Sequence, residues 1–438
     1  MSTAPLAMFC TSDLAGQTRG KGVPAAHLEA RLKQGLGWTP TNSMITAFGE
    51  IAPGPWGPFG DVALAPDPAS RFDVEIDGAI VETVYMADIE TPEGAPWPVC
   101  PRGFAKRMLG ALESRHGLRL KAAYEHEFAL QDGVDARPNR SYALDAVRQR
   151  RAFAERFLAA LEAGGAEPEC FMAEYGPNQF EAVTAPAPGV RAADRAVAVR
   201  EIARAVAASL DAQASFTPLV DPDGVGNGVH AHFGLIDAAS GAAANHQPDQ
   251  PLELDPRAGS FLAGVLAKLP AILALTAPSV ISYLRLSPNR WSATHNNLGV
   301  QDREAALRIC PTFQRNPKPR AEQFHFEYRA ADAAASPYMV LGALVAAGLH
   351  GLDRNLPAPT PLAGAPANAS AEELRAANVS PLPASLTEAL DNLEADADLR
   401  DLLGAEMIEA YLAHKRFEIT LVDGLSPEEL CRRYGEVY

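Results

Sequence analysis

The order of apolar and polar positions changes period along this chain. In "FDVEIDGAIVETVYMADIE" (72–90), Phe72, Val74 and Ile76 alternate with acidic residues, and Asp77-Gly78 can turn a hairpin. Short runs of this β-like kind, set among many Gly and Pro, fill the first hundred residues. After "PWPVCPR" (96–102) the period becomes helical. Phe104, Met108, Leu109 and Leu112 share one face of 102–117, and Gly117 stops it. The change predicts a domain boundary near residue 100, with one domain over 1–100 and a second over 101–438. Ala-rich helices are predicted at 143–164, 190–213, 337–350 and 385–399, alternating with short strand-like pieces. With no regular βαβ rhythm, the fold class is α+β. The most apolar window, 261–286, contains Lys268, Pro270 and Pro278, so it reads as a buried helix followed by loop or strand rather than a membrane span. The Pro/Ala-rich stretch 355–386 reads as a long surface loop.

Several strand-like segments carry chemistry on one face only. In "AAYEHEFAL" (122–130), a strand would turn Glu125 and Glu127 one way and Tyr124, His126 and Phe128 the other. Two carboxylates about 7 Å apart on a half-buried surface repel each other and call for a shared cation. "AEYGPNQFEAV" (173–183) adds Glu174 and Glu181 on either side of a Gly-Pro-Asn turn. "GNGVHAHFGL" (226–235) adds His230 and His232, and "FHFEYRAAD" (324–332) adds His325, Glu327 and Arg329. One E-x-E or H-x-H is usually a solvated face. Four such segments, each bordered by aromatics that should be buried, predict a carboxylate-lined cup backed by a hydrophobic core. Hard oxygen ligands with few imidazoles suit Mg²⁺ or Mn²⁺ better than zinc.

Arg285 and Arg290 in "SYLRLSPNRW" and Arg303 and Arg308 in "DREAALRICP" are suited to bidentate binding of carboxylate or phosphate. Together with the cup they suggest phosphoryl transfer. Glycine-rich phosphate loops are not behind it. "GQTRGKG" (16–22) has the wrong spacing and no Ser/Thr after Lys21, while "GVGNG" (224–228) leads into an alternating strand. A formal net charge of −16 argues against a nucleic-acid or anionic-membrane partner. The five cysteines are scattered without C-x-x-C pairing, and the N-terminus lacks the basic and apolar regions of a signal peptide. Both fit a reduced, cytoplasmic location.

From about residue 18 onward the chain resembles the glutamine synthetase superfamily. "RGKGVP" (19–24) and "GDVALAPDP" (60–68) are similar to its N-terminal β-grasp domain. "YEHEF", "EYGPNQFE", "GVHAHFGL", "SYLRL", "DREAALRICP" and "FEYRAADAAASPY" follow in the family's order, and the terminal "PEELCRRYGEVY" resembles a closing helix. The resemblance implies a second domain built on a curved antiparallel sheet forming a metal-lined cup among helices. It implies ATP as a substrate and two or three divalent ions per site. Carried over by motif, the first metal falls to Glu127, Glu174 and Glu181, and the second to Glu125, His230 and Glu327. Arg285 falls where the family holds the α-carboxylate of an amino acid, and Gly226 in the loop contacting its amino group. Arg303, Arg308 and Arg329 face the transferred phosphate and the acyl group. His232, with Arg308, falls on the nucleotide side. The family's stacked hexameric rings imply a homo-oligomeric dodecamer, with small molecules as its substrates.

The departures bear on the amine. Ammonia-using members carry a flap glutamate in "P-G-Y-E"; here the aligned stretch is "PNRW", which puts Trp291 in its place as a substrate contact. The family's "D-G-S-S" aspartate has no counterpart in "MITAFGEIAPG" (44–54), where Glu50 is only a possible substitute. The family's "N-G-S-G" asparagine becomes Val225. An aromatic wall without anionic groups suits an organic amine. The expectation is a glutamate–amine ligase of the gamma-glutamylpolyamine or gamma-glutamylamide type. Two alternatives stay open: an ammonia-using glutamine synthetase in which Glu50 or Glu304 is the base, and a catalytically silent homologue. The stretch 355–386 contains no tyrosine, so adenylylation of a loop tyrosine, known in some bacterial relatives, is not expected.

Overall fold

The computed structural model describes residues 5–133, 141–288, 290 and 292–438. Among them the first strands are β1 (Leu6–Ser12), β2 (Thr18–Val23), β3 (Leu36–Trp38), β4 (Val62–Pro66), β5 (Phe72–Ile76) and β6 (Ala79–Glu90). They form one sheet of order β2-β1-β6-β4-β3, with β5 also on β6. Only β1 and β6 run parallel there. The expected hairpin joins β5 to β6, and Asp77 and Gly78 both take positive φ, 51° and 81°. That is the backbone a two-residue turn needs to match strand twist.

Helix Pro101–His116 follows. Proline occupies its first turn, the Cys100 sulfur accepts from the Gly103 N–H, and Gly117 closes it in the left-handed conformation. Its Arg102 is fully buried and donates to Asp67 and Asp88 of the first sheet region and to Asp194 of helix Val190–Ala208, at 2.7, 3.0 and 3.0 Å.

The second sheet contains β7 (Leu118–Gln131), β8 (Pro168–Ala173), β9 (Gln179–Thr184), β10 (Ala187–Pro188), β11 (Gln213–Ser215), β12 (Val229–Asp237), β13 (Leu298–Val300), β14 (Leu307–Ile309) and β15 (Phe326–Tyr328). Its order is β13-β14-β15-β12-β7-β9-β8, with β10 and β11 also on β7. All its pairings are antiparallel except the edge pair β13–β14, which is parallel where a wholly antiparallel sheet was expected.

Strand β7 alternates as its sequence requires. Tyr124, His126 and Phe128 are buried on the helix side, and Phe128 meets Phe153 and Phe157 of helix Arg151–Ala163. Each buried ring contributes about 2 kcal/mol, and a one-residue slip would exchange the rings for carboxylates. The aromatic face therefore aims Glu125 and Glu127 at the opposite side.

Helix Pro256–Thr276 is long and apolar enough to cross a membrane, but 72% of its most apolar window is buried inside the fold. It packs on helix Pro337–Asp353 so closely that a Cβ at Gly351 would lie 1.9 Å from the Ser260 carbonyl oxygen. It is the core helix the sequence suggested, followed by a loop over 277–281, as one of the two expectations had it, and then by the short helix Ser282–Arg285. Elsewhere the expected helix 143–164 is split at Arg150, and the expected 385–399 is split at Asp396, which caps the next helix. The stretch 355–386 is not all loop. Ser370 and Glu373 form a capping box that starts helix Ala371–Ala376.

Candidate active site

Strand register brings the candidate residues together. Glu181 of β9 lies directly opposite Glu127 of β7, and Glu125 lies opposite His230 of β12. His232 lies opposite Glu327 of β15, which in turn lies opposite Arg308 of β14. One face of five adjacent strands thus carries a continuous row of ionisable groups. Glu174 joins it from the turn between β8 and β9. The row floors a cavity of about 960 Å³, also lined by Gly226, Arg285, Arg303 and Arg329. All six expected metal ligands converge here. Five line the cavity, and the sixth, Glu327, sits 3.6 Å from His230 Nδ1. His232 and Arg308 belong to the row but do not line the cavity. Trp291 lies outside the described residues, although Arg290 and Ser292 on either side of it line the wall. Glu50 is exposed and is not among the lining residues.

The acids do not share their burden equally. Burial raises the Glu181 carboxyl, and Glu125, Glu127 and Glu174 add to it, so it is pushed up to about 9. Burial likewise raises Glu127 to about 7 despite the Gly228 N–H, which donates to it at 2.7 Å, and the nearby Arg285. At Glu327 burial is outweighed by Arg329, His230 and His232, which hold it down to about 2. Arg308 donates to it at 2.7 Å and Arg329 also bonds it. Glu125 is held well below the usual range in the same way, by His232 and His230 against burial. Burial, with Arg329, lowers His230 to about 4. The shift favours the neutral imidazole, the form that ligates a metal.

This donor set fits divalent cations. Glu127 and Glu181 are crowded carboxylates whose own surroundings supply too little positive charge, and the site offers oxygens plus one neutral imidazole. On the opposite wall Arg285 is fully buried and fixed by donation to the carbonyls of Ala331 (2.6 Å) and Asn227 (3.3 Å). A Cβ on Gly226 would meet its Cγ at 2.5 Å, so only glycine leaves the guanidinium in place.

Some neighbours escaped the sequence reading. Gln179 donates to the Gly226 carbonyl and to Asn227 Oδ1, tying β9 to the loop before β12. Its place two residues before Glu181 put it on the same strand face, and that was the available signal. Tyr142 donates to Glu174 at 2.6 Å from a segment with no motif of its own. Arg290 was noted only as a possible anion binder. It is fixed by the carbonyls of Pro222 and Gly224, at 2.6 and 2.9 Å.

Residues 2–97 match the model of the glutamine synthetase N-terminal domain, and residues 98–432 match that of the glutamine synthetase catalytic domain. The chain belongs to the glutamine synthetase family. It is an ATP-dependent ligase forming carbon–nitrogen bonds, and this family works with ATP and divalent metal ions. It is 34% identical to a gamma-glutamylpolyamine synthetase of Streptomyces coelicolor, over 97% of this chain and 92% of that one. A glutamine synthetase of Mycolicibacterium smegmatis is 29% identical over 93% and 90%. Among solved structures, a novel glutamine synthase homologue superposes with a TM-score of 0.92 at 40% identity, covering 100% of this chain and 99% of that one. A GmaS–ADP complex does so with 0.82 at 26%, covering 96% and 94%. These neighbours place the chain on the glutamate–amine branch of the family.

Proposed function

We propose that this ligase joins the γ-carboxylate of glutamate to an organic amine, giving a γ-glutamyl amide. The observation that carries the reading is the make-up of the cavity. Its charged floor and arginines suit acyl-phosphate chemistry, while Tyr142, Tyr175, Met172, Val183, Val225 and Pro288 give it an apolar and aromatic side. Ammonia has no use for such a surface, whereas an alkyl or aryl amine buries against it. The resemblance to a gamma-glutamylpolyamine synthetase supports the same choice.

In the first step a substrate carboxylate oxygen attacks the γ-phosphorus of ATP, and the bond to the ADP oxygen breaks. In the second the amine attacks the acyl carbon, the carbon–oxygen bond to phosphate breaks, and the proton lost from nitrogen goes to the departing phosphate. Arg285 binds the α-carboxylate of the amino acid and fixes its orientation. Arg303 at the rim and Arg329 and Arg308 beside the row neutralise charge on the phosphoryl group and the acyl oxygen, and Arg308 with His232 steadies the nucleotide. Glu127, Glu174 and Glu181 would hold one ion, and Glu125, His230 and Glu327 a second. Two or three Mg²⁺ or Mn²⁺ ions bound there supply charge neutralisation and alignment of the phosphate oxygens. We take the assembly to be a dodecamer of stacked hexamers. The exposed Ile51 and Phe59 are consistent with subunit contacts, and light scattering on the purified protein tests this.

The test of function is phosphate release from ATP plus glutamate across polyamines, alkylamines, arylamines and ammonia. Turnover with an organic amine at a kcat/KM well above that for ammonia is expected. Silence with every amine, or preference for ammonia, overturns the reading.

A further inference from the structure

A second, chemically different group of ligands lies at the end of the carboxylate row. His232, Cys310 and His325 each offer one ligand atom within 4.8 Å of the other two. His232 Nδ1 is 3.1 Å from His325 Nε2 and 3.8 Å from Cys310 Sγ. With Zn–N of about 2.1 Å and Zn–S of about 2.3 Å, a tetrahedral ion sets edges of about 3.4 Å between nitrogens and about 3.6 Å between nitrogen and sulfur. The observed separations bracket both.

The outward nitrogens are arranged to match. His325 Nδ1 lies 2.6 Å from the Gln323 carbonyl oxygen, which fixes a proton there and leaves a lone pair on Nε2. His232 Nε2 faces Glu125 Oε1 at 3.2 Å and Glu327 Oε1 at 3.7 Å, so the proton on that side is held by carboxylates and Nδ1 is the nitrogen that gives up its proton to an ion. A carbonyl or carboxylate behind each imidazole is how proteins orient histidines toward a metal. Two lone pairs and a sulfur then converge on one point. Both imidazoles are half-buried and the thiol is buried, so the point is sheltered yet reachable.

We propose that His232, Cys310 and His325 form a binding site for a borderline-soft transition-metal ion of the Zn²⁺ class, separate from the oxygen-rich cup. Sulfur and imidazole select such an ion, whereas carboxylates select Mg²⁺ or Mn²⁺. Three protein ligands leave a fourth position for water or a phosphate oxygen. An ion here also takes His232, so zinc competes with the nucleotide contact assigned to that residue. The metal site itself does not depend on the amide reading, because it is read out by binding alone.

The experiment is titration of the full-length protein with Co²⁺ under excess Mg²⁺, followed by absorption. One equivalent of Co²⁺ should give a thiolate-to-cobalt charge-transfer band in the near ultraviolet, with visible bands of tetrahedral type. Cys310→Ser should abolish the charge-transfer band. His325→Gln should weaken Co²⁺ binding at least ~10-fold, as expected when one of three protein ligands is lost. Glu127→Gln, which alters only the cup, should leave the band intact. No band in the wild-type protein overturns the proposal. A band that survives Cys310→Ser does so too, since another thiol, such as the exposed Cys170, would then be holding the ion.

Discussion

Replacing Glu181 with glutamine should stabilise the metal-free protein while weakening its response to magnesium. Without a cation, burial and the neighbouring Glu125, Glu127 and Glu174 push this carboxyl from 4.5 up to about 9. The folded chain must therefore take up a proton at pH 7 that the unfolded chain does not hold. At ~1.4 kcal/mol per unit over the interval from 4.5 to 7, the penalty is about 3 kcal/mol. For 438 residues the unfolding entropy is about 0.9 kcal/mol/K, so relief of that penalty raises Tm by ~3 °C. The sign with pH follows. A folded value above the unfolded one means that the penalty is absent below about 4.5 and grows until about 9. The advantage of Glu181→Gln in chelator should thus widen by roughly 3 kcal/mol between pH 6 and pH 8. With Mg²⁺ the order reverses, because the wild type gains an ion bound by its carboxylates and the variant has lost a donor. Thermal unfolding of both proteins, in chelator and in Mg²⁺ at the two pH values, measures all of this. A variant less stable than wild type in chelator, or one with an undiminished magnesium shift, refutes the idea that these acids are held together for a cation.

Arg285→Lys keeps the charge but cannot hold both the Ala331 and Asn227 carbonyls. Loss of one charge-assisted bond to substrate, ~1.5–3 kcal/mol, should raise KM for the amino acid about 10- to 100-fold in steady-state kinetics; an unchanged KM removes Arg285 from the binding role. Gly226→Ala forces a methyl group to within 2.5 Å of Arg285 Cγ and 2.9 Å of the Pro218 carbonyl oxygen, so KM for the amino acid should rise while KM for ATP does not. Equal rises in both would point to general distortion. Outside the cavity lining, His414 is fully buried, and burial together with Lys415 lowers it to about 3. Its folded value lies below the unfolded 6.5, so its stabilisation is complete above pH 6.5 and is lost as pH falls toward 3, about 2 kcal/mol by pH 5. Denaturant midpoints between pH 5 and 7 should flatten by that amount in His414→Gln, and an unaltered slope would assign the acid sensitivity elsewhere.

The site was legible in the sequence because β-strands translate spacing into facing. Glu125 and Glu127 are two residues apart, as are His230 and His232, and aromatic neighbours show which face is buried. The register between strands carried no local signal, so the pairing of Glu181 with Glu127, or of Glu327 with Arg308, could be reached only through resemblance to a family. Gln179 and Tyr142 were missed for a related reason, since their partners are 48 and 32 positions away. The helix boundaries at Arg150 and Asp396 were blurred because alanine-rich sequence satisfies helical periodicity on both sides of a break. Ser370 and Glu373 were readable as a capping box but were hidden by the prolines around them.

Arg102 carries a consequence for anyone recombining this enzyme with its relatives. Its one guanidinium answers three aspartates contributed by separate stretches of sequence, and Asp194 is also bonded by Tyr338 at 2.6 Å. A chimera spliced between residues 97 and 101 cuts through that knot. It inherits Asp67 and Asp88 from one parent, and Arg102, Asp194 and Tyr338 from the other. Unless both parents share the whole quintet, the seam leaves a buried Arg102 short of its acids, or half-buried Asp67 and Asp88 without their cation. A crossover placed after Tyr338 would keep the set intact.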